Sequence, residues 1–470
     1  MPHMLSRLRG ARWWLAGAAL LLLIAAVAGV LVLKSRQGSL LNPGVEFQPQ
    51  NPQTPAPSNA TRFDWPVYGY TKERTQYLPL RQPFRPPFAQ RWAIHGSTLL
   101  EFTPALGGRS LFLLKNNGAL YAVVRKTGKK RWKRKLGYLA ASAPAYADGT
   151  VYAVLLLRYK GAGGGRVVAV SSGDGRTRWS RKLASRSESS PLVDHGRLYF
   201  GSENGTVYAL RASDGSLLWR YRASGAVKGG IAMDDQGRLF FGDYSGHVQA
   251  LRARDGKLLW RKGTSGTAFG LGSGNFYATP AVAFGRVYLG NTDGNVYSYA
   301  ADNGALAWRR HTGGYVYASA AVAKVPGGRP TVYVGSYDGT FYALDARTGH
   351  VRWSRRAEGQ ISGGITILGD LVFYSTLNHH TTALNARTGA RVWTTPRGAF
   401  NPVVSDGRGI FLNGWTSLYG IDGRPPRHEI ASRRRAARRV AARRREIHRR
   451  LELRRRGVRF CFRSHGRRTC

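Results

Sequence analysis

Three patterns of apolar and polar positions divide the chain. Residues 13–33 form an unbroken apolar run of twenty-one residues, and at 1.5 Å rise per residue a helix of that length crosses a ~30 Å hydrocarbon layer. Within 62–423 the pattern changes to short runs of alternating apolar and polar positions bounded by turn signals, the period of half-buried strands. Beyond Pro425-Pro426 the apolar positions thin to Ala436, Val440, Ile447 and Leu451, near one face of a stretch otherwise covered by arginine. The chain is expected to be all-β between an N-terminal transmembrane helix and a basic C-terminal helix.

The alternating region repeats. A fifteen-residue phrase runs from a turn glycine through a Tyr-Ala-Leu-like core and a second glycine turn to a tryptophan, most cleanly from Gly339 to Trp353. Further copies start at Gly118, Gly165, Gly205, Gly246 and Gly294 and end at Trp132, Trp179, Trp219, Trp260 and Trp308; one more ends at Trp393, with His379 where the first glycine should be. Each repeat resolves into four strands, as at 230–233, 238–242, 247–251 and 257–260. Asn or Asp before Gly at the tight turns, as in Asn204-Gly205 and Asp214-Gly215, supplies the positive φ that a hairpin needs. Four short antiparallel strands per repeat make a propeller blade. Trp92 has no preceding phrase, and residues 417–422 are half a phrase with no following tryptophan. The two fragments complete each other, which predicts an eight-bladed ring closed between its ends, with no open sheet edge.

The phrase resembles the tryptophan-docking repeat of the pyrroloquinoline-quinone (PQQ)-type β-propellers, and Trp65-Pro66 with Gly69 and the later Pro86-Pro87-Phe88 resembles their lead-in. The resemblance covers about 62–423. It implies a fold shared by quinone-dependent dehydrogenases, extracellular sensor domains and an outer-membrane barrel-assembly scaffold lipoprotein, the last being closest in character. The expected organisation is a cytoplasmic 1–12, an anchor at 13–33, a Pro/Gln/Asn-rich linker at 34–61, the propeller at 62–423 and an Arg-rich tail at 424–470. Arg7, Arg9 and Arg12 before the apolar run outweigh Lys34 and Arg36 after it, which places the bulk of the chain outside the cell membrane as a single-pass protein.

Charge adds a class of partner. The net charge is +47, of which the tail with nineteen arginines and three glutamates carries +16. Such a surplus attracts polyanions. Outside the membrane those are anionic lipid or acidic envelope polymer, contacted through Arg434, Arg438, Arg444, Arg449 and Arg455; nucleic acid becomes a partner only with reversed topology. Cys461 and Cys470, the only cysteines, are spaced to close a small disulfide loop in an oxidising compartment. Residues 458–462 alternate as a short strand beside that loop.

Catalytic chemistry is not expected. Quinone-dependent dehydrogenases need converging oxygen ligands for a calcium-like ion, a carboxylate base and commonly an adjacent cysteine pair, and the propeller contains no cysteine. Neither PQQ nor calcium is therefore expected, and the eight tryptophans read as packing. Binding is expected where the repeat lengthens or breaks: at Leu157 and Gly163, at Thr267, Phe269 and Asn275, and at His379 and His380, all in connections on one face of the ring. The expected function is a non-catalytic binding scaffold for protein or anionic envelope components, with a quinone-dependent dehydrogenase and a ligand-sensing ectodomain as alternatives.

Overall fold

Each glycine turn folds its flanking apolar runs into a hairpin, and the hairpins assemble into eight four-stranded antiparallel blades. The computed structural model describes residues 18–24, 26, 39–49, 63–80, 84–264, 274–422, 440–442, 462–464 and 467–469. The inner strands of blades 1 to 8 are Ala105–Gly107, Ala145–Ala147, Leu192–Asp194, Ala232–Met233, Ala281–Ala283, Ala321–Ala323, Thr366–Leu368 and Val403–Ser405. Blade 8 closes the ring as expected: the early strand Ala89–Ile94, which carries Trp92, pairs antiparallel with the late strand Leu418–Asp422, and Arg91 grips Asp422. Joining the two ends of the domain in one sheet leaves no gap in the ring.

The phrase has a packing explanation. Each tryptophan of blades 1 to 4 and of blades 6 and 7 sits opposite an alanine of the third strand, and the ladder shifts register there, as at Ala209 opposite Trp219. The small partner leaves room for the indole to lean onto the next blade. Nε1 of Trp92, Trp132, Trp179, Trp219, Trp260 and Trp308 donates to a carbonyl in the outer turn of that blade, at 2.8–3.1 Å. Beneath each ring lies that turn's positive-φ glycine; a Cβ on Gly215 would stand 2.5 Å from Trp179 Cε3. One indole therefore fixes both the spacing and the angle of two blades. Trp353 covers Gly389 without an acceptor for its N–H, and Trp393, whose next blade lacks this turn, packs edge-on against Phe88.

Two segments outside the repeat are built into the ring. Residues 39–49, within the expected linker, lie along blade 5. Leu40–Leu41 adds a fifth strand to its outer edge, and Phe47 packs on Phe284 under the buried Arg286 guanidinium. The lead-in does more. Starting from Phe63, whose N–H bonds to Asp406 of blade 8, it crosses the axis at one end of the ring. The carbonyls of Pro66, Lys72, Glu73, Thr75 and Gln76 accept N–H groups from the inner strands of blades 2, 4, 5, 6 and 7 in turn, and Tyr77–Leu78 then runs parallel to the inner strand of blade 7. At its centre Arg74, fully buried, donates to the carbonyls of Ile231, Ser190, Pro191 and Tyr68. The inner strands have no further strand of their own to pair with, so the lead-in satisfies their free N–H groups.

Among the described residues no helix is long and apolar enough to cross a membrane. Of the run 13–33, residues 18–24 and 26 are described; they are helical, and Leu20 to Ile24 are exposed. In the tail, residues 440–442 are helical, and Phe462–Ser464 pairs with Arg467–Thr469 in a hairpin that begins where the expected strand ends.

Candidate functional site: the axial funnel and its aromatic rim

The connections that lead into the inner strands converge on the axis at the face opposite residues 324–330, which join the first two strands of blade 6. Glycine and serine dominate there because space is short: a Cβ on Gly363 would stand 2.1 Å from Phe400, and one on Gly364 2.5 Å from the Tyr68 hydroxyl. Between these connections lies a funnel of about 50 Å³, floored by Tyr68 of the lead-in and lined by Glu101, Glu188, Lys228, Tyr277, Tyr317 and Asn401 among others.

Its polar groups answer one another. Lys228 donates to Glu188 at 2.9 Å and lies 3.1 Å from Glu203; Arg186 closes on Glu203 at 2.6 Å, and the Tyr277 hydroxyl donates to Glu188 at 3.2 Å. Burial lifts Glu188 above the usual carboxylate range. Glu203, although burial works against its charge, is held down by bonds to Glu188 and Lys228. For Lys228 too, burial opposes the ammonium, yet the two carboxylates leave its pKa raised. Glu101, which sequence reasoning did not single out, is raised by burial and accepts one bond from Asn116. Only its position just before the first inner strand could have marked it. Asn401 ties the funnel to its floor, accepting from the Tyr68 hydroxyl and donating to the Glu101 carbonyl.

Around the mouth stands a run of rings. Tyr244, Tyr277, Tyr317 and Tyr337 follow one another with centroids 5.0–6.3 Å apart, and on the blade 8 side Phe400 stacks on Trp415. Tyr138, Tyr159, Tyr315 and Trp415 are 44–62% exposed on this face.

The expected binding loops open on the same face. Leu157 bridges to Leu139 and accepts the Tyr138 N–H, Gly163 is exposed with open space around its Cα, and Asn275 is pinned to Thr292. His379 takes the positive φ of the glycine it replaces, stands edge-on to Trp415 at 4.9 Å and meets the Gly398 carbonyl; His380 meets the Asn378 carbonyl. His379 thus joins the aromatic rim, and among the described residues no three His, Cys, Asp or Glu gather to hold a metal ion. Thr267, Phe269, the five tail arginines Arg434, Arg438, Arg444, Arg449 and Arg455, and both Cys461 and Cys470 lie outside the described residues.

Lys228, the cation of the lining, is already shared by two carboxylates, and Glu101, Glu188 and Asn401 bring oxygen atoms to the same funnel.

Comparison with known proteins agrees with the geometry of the ring. A family profile described as outer membrane protein assembly factor BamB matches residues 89–226, 203–323 and 318–424. Among solved structures, BamB from Moraxella catarrhalis superposes with a TM-score of 0.59 at 16% identity, covering 71% of this chain and 99% of that one. A europium-containing methanol dehydrogenase gives 0.63 at 13%, covering 77% and 98%. The quinohemoprotein alcohol dehydrogenase of Comamonas testosteroni gives 0.62 at 14%, covering 77% and 81%. No curated protein of matching sequence was found. At these identities the structures speak for the fold alone, whereas the profile spans well over half of the sequence, and on that ground the chain belongs to the family described as outer membrane protein assembly factor BamB.

Proposed function

We propose that the protein is a membrane-anchored, extracytoplasmic propeller that acts as a non-catalytic binding scaffold and receives a protein partner on the face carrying the aromatic rim. One observation carries the reading: Glu188, Lys228, Glu203 and Tyr277 are engaged with one another and Glu101 with Asn116, while large rings at the mouth are exposed. Exposed aromatic side chains are the anchors that protein interfaces favour. The family is described as outer membrane protein assembly factor BamB, which supports a binding role for this scaffold. Anchoring rests on the apolar run 13–33 and its exposed leucines. The Arg-rich tail adds a contact to anionic lipid or envelope polymer.

Photo-crosslinking in intact cells tests this reading. A crosslinking residue at Tyr315 or Trp415 is expected to trap a discrete protein partner, and one at Arg329 on the opposite face is not. Equal trapping from both faces overturns the choice of face. Reduction of an artificial electron acceptor by an alcohol and the purified full chain overturns the scaffold in favour of a quinone-dependent oxidoreductase.

A further inference from the structure

The outer edge of blade 1 is the most basic strand of the ring. In Lys130–Lys135 every residue except Trp132 is an exposed Lys or Arg. The two arginines are used internally: Arg131 donates to Ser110 and Gly173, and Arg134 to the Asp174 and Gly175 carbonyls. The lysines remain. Lys133 lies over the Tyr121 ring at 5.5 Å, and Lys115 lies over the same ring at 5.1 Å. Lys115 is only 6% exposed, its stem buried and its ammonium still reaching solvent, and among the described residues it makes no ion pair. Lys135 is held beside it by the Asn117 carbonyl. In the neighbouring connection from blade 8, Gly96 and Thr98 lie closest and the one acid, Glu101, is turned to Asn116, while Asp174, at the nearby turn of blade 2, pairs with Arg176 at 3.3 Å. Two ammonium groups set over one ring, both reaching solvent and neither paired with a carboxylate among the described residues, form an arrangement that a bound anion would complete.

We propose that Lys115 and Lys133 around Tyr121, continued by Lys135 and Lys130 along the edge, form a docking surface for a linear phosphate polymer. The choice of ligand follows from the residues. Lysines are compact point charges suited to phosphate oxygens, whereas the flat guanidinium forks that best recognise carboxylates are turned to backbone carbonyls here. An extended polymer matches an extended strand, whose same-side lysines recur about every 6.7 Å.

The test measures binding of fluorescein-labelled inorganic polyphosphate to the full chain in detergent, as a function of salt. Lys115→Gln with Lys133→Gln is expected to weaken binding about tenfold and to lower the slope of log K against log salt by about two, one for each lysine–phosphate pair removed. Arg261→Gln with Lys262→Gln, on the outer strand of blade 4, removes the same charge and is expected to change affinity less than about twofold. Lys133→Gln alone, at an exposed position, should cost about threefold and one unit of slope with an unchanged melting temperature, which separates the site from any folding defect at Lys115. Equal losses in the two charge-matched pairs would show that net charge or the tail does the binding and would overturn the site. Polyglutamate of matched charge bound as tightly as polyphosphate would overturn the choice of ligand.

Discussion

Replacing Gly215 by alanine isolates the contact on which the ring depends. Gly215 has φ +74° and lies under Trp179 of the preceding blade, where an added Cβ would stand 2.5 Å from Cε3. Gly196, in another turn of the same blade, has nearly the same backbone at φ +72° but nothing within 4 Å of the added carbon. Alanine at either position pays left-handed strain of about 1–2 kcal/mol. At Gly215 it must also displace the indole, an overpacking term of about 1–3 kcal/mol. Gly215→Ala is thus expected to cost about 2–5 kcal/mol and Gly196→Ala about 1–2, a large difference against a typical stability of about 5–15 kcal/mol. Guanidinium denaturation of the purified protein, followed by far-ultraviolet circular dichroism, compares the two midpoints. In the background of Trp179→Leu the penalty at Gly215 should shrink to that at Gly196, since the clash is gone. Equal midpoints for the two single variants would refute the idea that inter-blade spacing is set by indole on glycine.

Two further substitutions probe the axis. Arg74→Met orphans buried carbonyls at Ile231, Ser190 and Pro191, at about 1–3 kcal/mol for each group left without a partner, so a loss of about 3 kcal/mol or more is expected in the same assay; Arg74→Lys should recover only part of it, because one ammonium cannot fork to carbonyls on two blades. A full rescue by lysine would refute that geometry. Burial, which lowers the Arg74 pKa to about 9, leaves it charged at neutral pH. Glu101 is raised by burial in the folded state, so its contribution is present at low pH and is lost as pH rises through the folded value. Glu101→Gln removes that loss, and its melting temperature relative to the natural chain should climb between pH 4 and pH 7; a flat or falling difference contradicts the assignment.

Much of the ring was legible because its determinants are local. Glycine before a strand, alanine opposite tryptophan and a second glycine within the same phrase are all properties of a single repeat, and the unmatched halves at Trp92 and residues 417–422 foretold the closure now seen between Ala89–Ile94 and Leu418–Asp422. The face that carries the rim was partly legible: Leu157, Asn275, His379 and His380 stood out as departures from the period, and they open on it. The exposed rings between them, Tyr315 and Trp415, carry no periodic signal and escaped notice.

The sequence by itself determined how many blades there are, because the repeat is written in spacings that survive without coordinates. Only the tertiary structure decided what occupies the axis and what meets at each edge. Residues 63–78 have no repeat to read, and their course across the inner strands follows from unpaired N–H groups that one blade after another presents to the axis. The Glu188–Lys228–Glu203 linkage joins residues from neighbouring blades whose approach depends on how tightly the indoles draw those blades together. Lys115 and Lys133 share one ring because the strand of Tyr121 lies between the strand that Lys115 follows and the strand that carries Lys133. Electrostatic fit is a property of distance in space, and the folded ring is what sets those distances.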